Sequence, residues 1–145
     1  MKTMQKIVSL SVFTFFFSCS SVGIEPINYN KDNCDNCKMS ISDKRFACEL
    51  VTEKGKVFKF DDLICLINYQ NEHKDQCKKA GLHVNDFLSP NQLVPVQNLF
   101  YLKGQVIGSP MGGDMAAFSN KDSAGFYAEL WQSKVQNWEA LLNEE

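Results

Sequence analysis

Apolar positions along this chain fall into three regimes. Ile7 to Phe17 are mostly apolar with no period, Ser20 to Asn33 have no apolar period at all, and short alternating runs begin at Arg45. Arg45 to Thr52 alternate roughly, as a half-buried strand does. Glu53-Lys54-Gly55-Lys56 supplies a turn, and Val57 to Phe60 alternate again, predicting a hairpin. Asp61 or Asp62 can then accept the free N–H groups of a helix start. That helix has Leu63, Ile64, Leu66, Ile67 and Tyr69 as its apolar face and Gln70 to Lys79 as a polar exit. Gly81 interrupts the pattern, and Leu82 to Leu88 read as a third strand. The second half echoes this order. Asn98 to Lys103 predict a strand, Gly104 a turn, and Val106-Ile107 with Ala116 to Phe118 a strand broken by a Met-Gly-Gly loop. Asn120 or Asp122 can cap a helix from Ser123 to about Trp131, and Trp138, Leu141 and Leu142 mark a last amphipathic segment. Two strand–strand–helix units predict an α+β fold with antiparallel pairing, built as one compact domain.

The N-terminal run has the length of a signal-peptide core and is too short to span a bilayer. Lys2 and Lys6 precede or flank it, and it ends in Phe16-Phe17-Ser18-Cys19. That ending resembles a bacterial lipobox, although Phe16 is bulkier than the aliphatic residue usual there; a plain secretory signal is the alternative. The expected boundaries are a lipoprotein signal peptide over 1–18, a tether over 19–33 and a domain over 34–145, with units at about 40–90 and 96–145. Cys19 is then the lipid-attachment residue, and the expected location is lipid-anchored to the outer membrane, facing the periplasm of a Gram-negative bacterium.

Composition narrows the partners. The chain has 145 residues and a net charge of −2, which offers no electrostatic footprint for nucleic acid. No clearly placed general acid or base supports catalysis, so no enzyme is expected. Export makes the six cysteines informative. Assigning Cys19 to lipid leaves Cys34, Cys37, Cys48, Cys65 and Cys77, an odd set that cannot all pair in disulfides. Cys48 and Cys65 fall in apolar runs and read as buried structural thiols. Cys77 lies in a lysine-rich polar stretch and has no functional reading.

Two soft-ligand clusters remain, Cys34-x-x-Cys37-x-Met39 and Met111-Gly-Gly-Asp-Met115. Thiolates with thioethers favour a soft ion, and Cu(I) is the biological metal that fits. A structural zinc site would add a second cysteine pair or a histidine pair at finger spacing, and neither is present. Met111 and Met115 sit among Pro110, Gly112, Gly113 and Asp114, where a surface loop gives a methionine little to pack against. His73 and His83 occupy no motif position, and His83 on a strand reads as structural. Capping and turn chemistry suffice for Asp61, Asp62 and Asp86, with a role beside or on a metal as the alternative. Trp131 and Trp138 suit either core or docking surface. Rival readings are a periplasmic thiol–disulfide redox protein using Cys34 and Cys37, a general extracytoplasmic copper-handling lipoprotein, a mercury- or organometal-handling enzyme, and a structural lipoprotein.

The block Asp32 to Arg45, with Phe60-Asp61-Asp62-Leu63-Ile64-Cys65-Leu66, Val84-Asn85-Asp86-Phe87, Ser109-Pro110-Met111-Gly112-Gly113 and Ala116-Ala117-Phe118, resembles the NosL family signature in order and across nearly the whole mature chain. The resemblance implies two ββαβ units and a Cu(I) chaperone lipoprotein. It implies delivery of copper to nitrous oxide reductase with an ABC-type assembly complex as partner. It places metal ligation on Cys34, Cys37, Met39 and Met111, with Met115 added on chemistry alone.

Overall fold

The computed structural model describes residues 23–144; Cys19 and the predicted signal segment lie outside them. The expected hairpin forms from β1 (Cys48–Val51) and β2 (Val57–Phe60), paired antiparallel with Cys48 opposite Phe60 and Val51 opposite Val57. Helix α1 (Leu63–Glu72) follows. Asp62 is its cap, its side chain accepting from Ile64 N at 3.2 Å. The predicted polar exit instead folds a second short helix, α2 (Lys74–Cys77), which buries Cys77 at the foot of α1. Strand β3 (Gly81–Asn85) then pairs with β1, and β4 (Leu93–Pro95) adds an unpredicted edge strand beside β3. An edge is where a proline at the strand end is tolerated. The sheet order is β2-β1-β3-β4.

The third strand stops at Asn85, short of the expected Leu88, because Asp86 turns the chain. Its Oδ1 accepts from Leu88 N and Ser89 N at 2.7 and 3.0 Å, and its Oδ2 accepts from Ser119 N at 2.7 Å and from the Ser119 hydroxyl. Phe87 N also donates to Ala117 O at 2.8 Å. This turn is therefore the joint between the two halves.

In the second half, β5 (Phe100–Lys103) pairs with β6 (Met115–Phe118), and α3 (Lys121–Leu130) and α4 (Trp138–Leu142) follow. Gln105–Ile107 form a 3-10 turn, not the first part of a strand. The fourth element of this unit shrinks to one bridge, Tyr101 with Gln136. The order is still that of the first half, with β5 central as β1 is. Asn120 and Asn137 cap α3 and α4, accepting from Ser123 N and Ala140 N at 2.9 Å. Two apolar clusters result. One joins the large sheet, α1 and the Trp138–Leu141 face; the other packs Phe46, Leu102 and Phe118 under α3. Trp138 is thus core, and Trp131 joins the Phe87–Phe118–Tyr127 aromatic group at its edge.

The tether expected to reach Asn33 ends much sooner. Glu25 N donates to the buried Glu49 carboxylate at 2.9 Å, Lys59 Nζ donates to Pro26 O at 2.8 Å, and Asn85 Nδ2 donates to Tyr29 Oη at 2.8 Å. Residues 23–33 are a strap across the outer face of the sheet. No apolar period marks it because its fastenings are main-chain groups and single side chains.

The Asp86 joint makes a pH prediction. Burial raises its carboxyl pKa, but hydrogen bonds from Ser119, Leu88 and Ser89 outweigh that and hold it below the usual carboxylate value. A depressed folded-state pKa contributes stability that is present above the unfolded value, about 3.9, and is lost as pH falls through the lower folded value. Asp86→Asn is therefore expected to lower the thermal midpoint at neutral pH, with the gap from wild type closing as both are melted below about pH 4.

Candidate metal centre

The Cys34–Met39 segment is a closed loop. Cys34 N donates to Met39 O at 2.8 Å, Lys38 N to Cys34 O at 2.9 Å, and Asn33 bridges Ser40. Lys38 takes a left-handed backbone, φ 66°, to close it. Asp35 fastens the loop to β2, an edge strand, where Asp35 N donates to Lys59 O at 2.8 Å and Lys59 N to Asp35 Oδ2 at 2.7 Å. The strand edge is thereby covered, and the two cysteines are carried to the end of β2, where Asp61 follows.

There the ligating atoms of Cys34, Cys37, Asp61 and Cys65 all lie within 4.8 Å of one another. A metal–sulfur bond near 2.3 Å, the zinc–thiolate length, puts two sulfurs on one ion at most about 4.6 Å apart. The three thiols are thus within a small adjustment of a shared ion. Cys34, Asp61 and Cys65 are buried and Cys37 is half-buried, so the cluster is reached from one side. Cys37 Sγ faces Asp61 Oδ1 at 3.6 Å.

Electrostatics follow from burial. Desolvation pushes the Cys34 thiol up to about 11, partly opposed by backbone N–H groups of Asp61, Cys37 and Asn36. Burial and the neighbouring Cys34 raise the Cys65 thiol further, against an opposing hydrogen bond from Asn36. Protonated thiols must lose protons to bind a metal, which couples binding to proton release.

Cys65 was expected to be a structural thiol and is instead the third sulfur of the cluster. The signal was its place one turn after Asp61-Asp62. A helix capped by Asp62 must present residue 65 beside the loop preceding it, and that loop neighbour is recognisable only once the Cys34–Cys37 segment is docked there. Cys48 does match the structural reading, fully buried with its thiol donating to Phe46 O at 3.0 Å. The five cysteines among the described residues are all free thiols.

The second soft cluster divides. Met111 lies on the loop held against the α1 cap, where Asp62 Oδ2 accepts from Met111 N at 3.0 Å and from Ser109 Oγ at 2.6 Å. Gly113 must lack a side chain, since a Cβ there would meet Ile64 Cβ at 2.8 Å and Asp62 Oδ1 at 3.0 Å. This close approach seats the loop on Asp62 and Ile64, the chain neighbours of Asp61 and Cys65. Met111 is 36% exposed and Met39 56% exposed, both on loops that flank the cluster. Met115 begins β6 and is buried in the same apolar cluster as Cys34 and Cys65, its Cε 3.0 Å from where a Cβ on Gly113 would stand.

Neither histidine joins the four-residue cluster. His73 closes α1, its Nδ1 within 3.0 Å of Tyr69 O and its ring stacked on Tyr69. His83 lies opposite Glu49 on β3, and burial lowers its pKa. Among the described residues no helix is long and apolar enough to cross a membrane.

Comparison with known proteins agrees with this architecture. No curated protein matches the chain. Its fold is similar to the crystal structure of the copper chaperone NosL from Shewanella denitrificans, with a TM-score of 0.69 at 22% identity over 81% of this chain and 94% of that one. The NosL family model matches residues 27–144. Its start falls inside the strap, as expected of a segment that is part of the domain, and a match over most of the length settles the assignment: the chain belongs to the NosL family.

Proposed function

We propose that the protein is a Cu(I) chaperone that carries one copper ion on Cys34, Cys37 and Cys65 and hands it on in the assembly of nitrous oxide reductase. The observation that carries this reading is the three-thiol cluster, with all ligating atoms within 4.8 Å. Soft thiolates in two- or three-fold arrangement suit Cu(I), and the open side at Cys37 lets an acceptor ligand enter before a resident one leaves. The family and the copper chaperone that shares the fold point the same way. The reductase and its ABC-type complex remain the partners suggested by the sequence resemblance. Cys19 is the proposed lipid anchor, and the outer membrane, periplasmic face, is the proposed location.

Met39 and Met111 have a distinct part. They are neutral sulfur donors on exposed flanking loops, so we assign them to capture and release rather than to tight holding. Met115, a core residue, has no such part.

Titration with Cu(I) against a competing chelator tests the reading. One tightly held ion per chain is expected, and Cu(I) should displace Zn(II), which the Asp61 carboxylate would otherwise help to hold. A protein that cycles its thiols and disulfides without retaining copper is a redox protein instead. Met39→Leu with Met111→Leu should change affinity only a few-fold while slowing transfer to a Cu(I)-accepting chelator roughly tenfold, the lower end of what residues around a metal's ligands contribute. Equal transfer rates would remove the two methionines from the path.

A further inference from the structure

The large sheet has two chemically different ends. Register pairs Cys48 with Phe60 and Val84 at one end, and Val51 with Val57 and Gly81 at the other. The ends are about 10 Å apart at 3.4 Å per residue. The first leads into Asp61, Asp62 and the thiols. The second carries the β1–β2 turn and, beside it, the α2–β3 corner, which share a groove lined by Glu53, Lys54, Lys56 and Asp75. Lys54, Lys56, Lys74, Lys78 and Lys79 are all exposed at this end, against the acids Glu53, Glu72 and Asp75. Of these acids, Glu53 pairs with Lys79 at 3.0 Å. The end is thus positive in a chain of net charge −2, while the thiol end holds Asp35, Asp114 and the buried Asp61 and Asp62 against the single exposed Lys38.

The strap adds direction. Gly23 and Ile24 line a groove with Val51, Glu53, Lys79 and Gly81, so the strap begins at the lysine-rich end and runs toward the thiols. Ile24 is 47% exposed there. Only three residues separate Cys19 from Gly23, and the four steps between them reach at most about 14 Å in any conformation.

We propose that this lysine-rich end lies on an anionic phospholipid bilayer, with the thiol cluster held on the side of the domain away from the lipid. The inference rests on the reading of Cys19 as a lipid anchor. A short reach puts the strap's start near the headgroups, and lysines within a Debye length of them are attracted while the aspartate end is repelled. The copper-carrying face is then open to an acceptor approaching from the aqueous side.

The test uses the full-length lipoprotein in vesicles of phosphatidylcholine alone or enriched in phosphatidylglycerol, with pulse acetylation of lysines read by peptide mass spectrometry. On the anionic vesicles Lys56, Lys74 and Lys79 should label several-fold more slowly, an effect removed by high salt, while Lys38 and Lys121 label unchanged. Lys54→Glu with Lys78→Glu should abolish that protection and leave Cu(I) affinity and circular dichroism as in wild type. Equal labelling of both lysine sets on both vesicles, or protection of Lys38, overturns the orientation. So does intact mass showing Cys19 without acyl chains. Cu(I) titration of the same preparation reports separately on the copper reading.

Discussion

Replacing Cys34 and Cys37 together with serine is expected to weaken Cu(I) binding by well over 100-fold, beyond the roughly 10–100-fold that changes around a metal's ligands cost. A hydroxyl is a hard, weak donor for this ion, and the change leaves Cys65 and Asp61 as the remaining ligating groups of the cluster. Cys65→Ser alone separates two designs. If the ion is held by three sulfurs, affinity falls by about tenfold or more; if Cys65 is only packing, affinity stays within a few-fold and stability alone suffers. Cys48→Ser supplies the control, because Cys48 is equally buried and outside the cluster. It should lower the melting temperature and leave the chelator competition curve where it is. Wild-type affinity in the double variant would sink the proposed site.

The largest expected loss of stability belongs to Asp62→Ala. The Asp62 side chain is fully buried and accepts from Ile64 N, Ser109 Oγ and Met111 N. Losing the helix cap costs about 1 kcal/mol. Two further donors left without an acceptor cost about 1–3 kcal/mol each. A total of about 4 kcal/mol corresponds to a drop in melting temperature of about 10 °C or more for a domain of this size. Asp62→Asn, which keeps one acceptor oxygen, should fall between. Because the same carboxylate pins the Met111 loop beside α1, the alanine variant should also slow copper transfer. A melt within about 2 °C of wild type would show that the loop is held by other contacts.

These two sites differ in how readable they were. A helix cap at Asp61 or Asp62, the β1–β2 hairpin, α1, α3 and the Cys34–Cys37 pair all follow from local rules: alternation, a short polar residue before an apolar helix, and ligand spacing. Where several long-range partners decide, local rules failed. Leu82 to Leu88 alternate throughout, yet Asp86 ends the strand because Ser119, 33 positions away, supplies two of its donors. Val106 and Ile107 look like strand, yet they form a 3-10 turn that leads into the loop at Gly108, a residue with φ 61°. The segment to Asn33 looks like a tether, yet Glu49 and Lys59 fasten it to the sheet.

The chain's sequence by itself determined the α+β class, the starts of α1 and α3 to within a residue or two, the two soft-ligand motifs and the family resemblance, because each is written in residues close together or in blocks with a fixed order. Only the tertiary structure decided which sulfurs meet. Cys65 joins Cys34 and Cys37 because the Asp35–Lys59 pairing sews their loop to the strand that leads into α1. Met115 is buried because β6 turns it into the core. Met39 and Met111 are left at the rim, since burial depends on what packs over a residue and not on the residue itself.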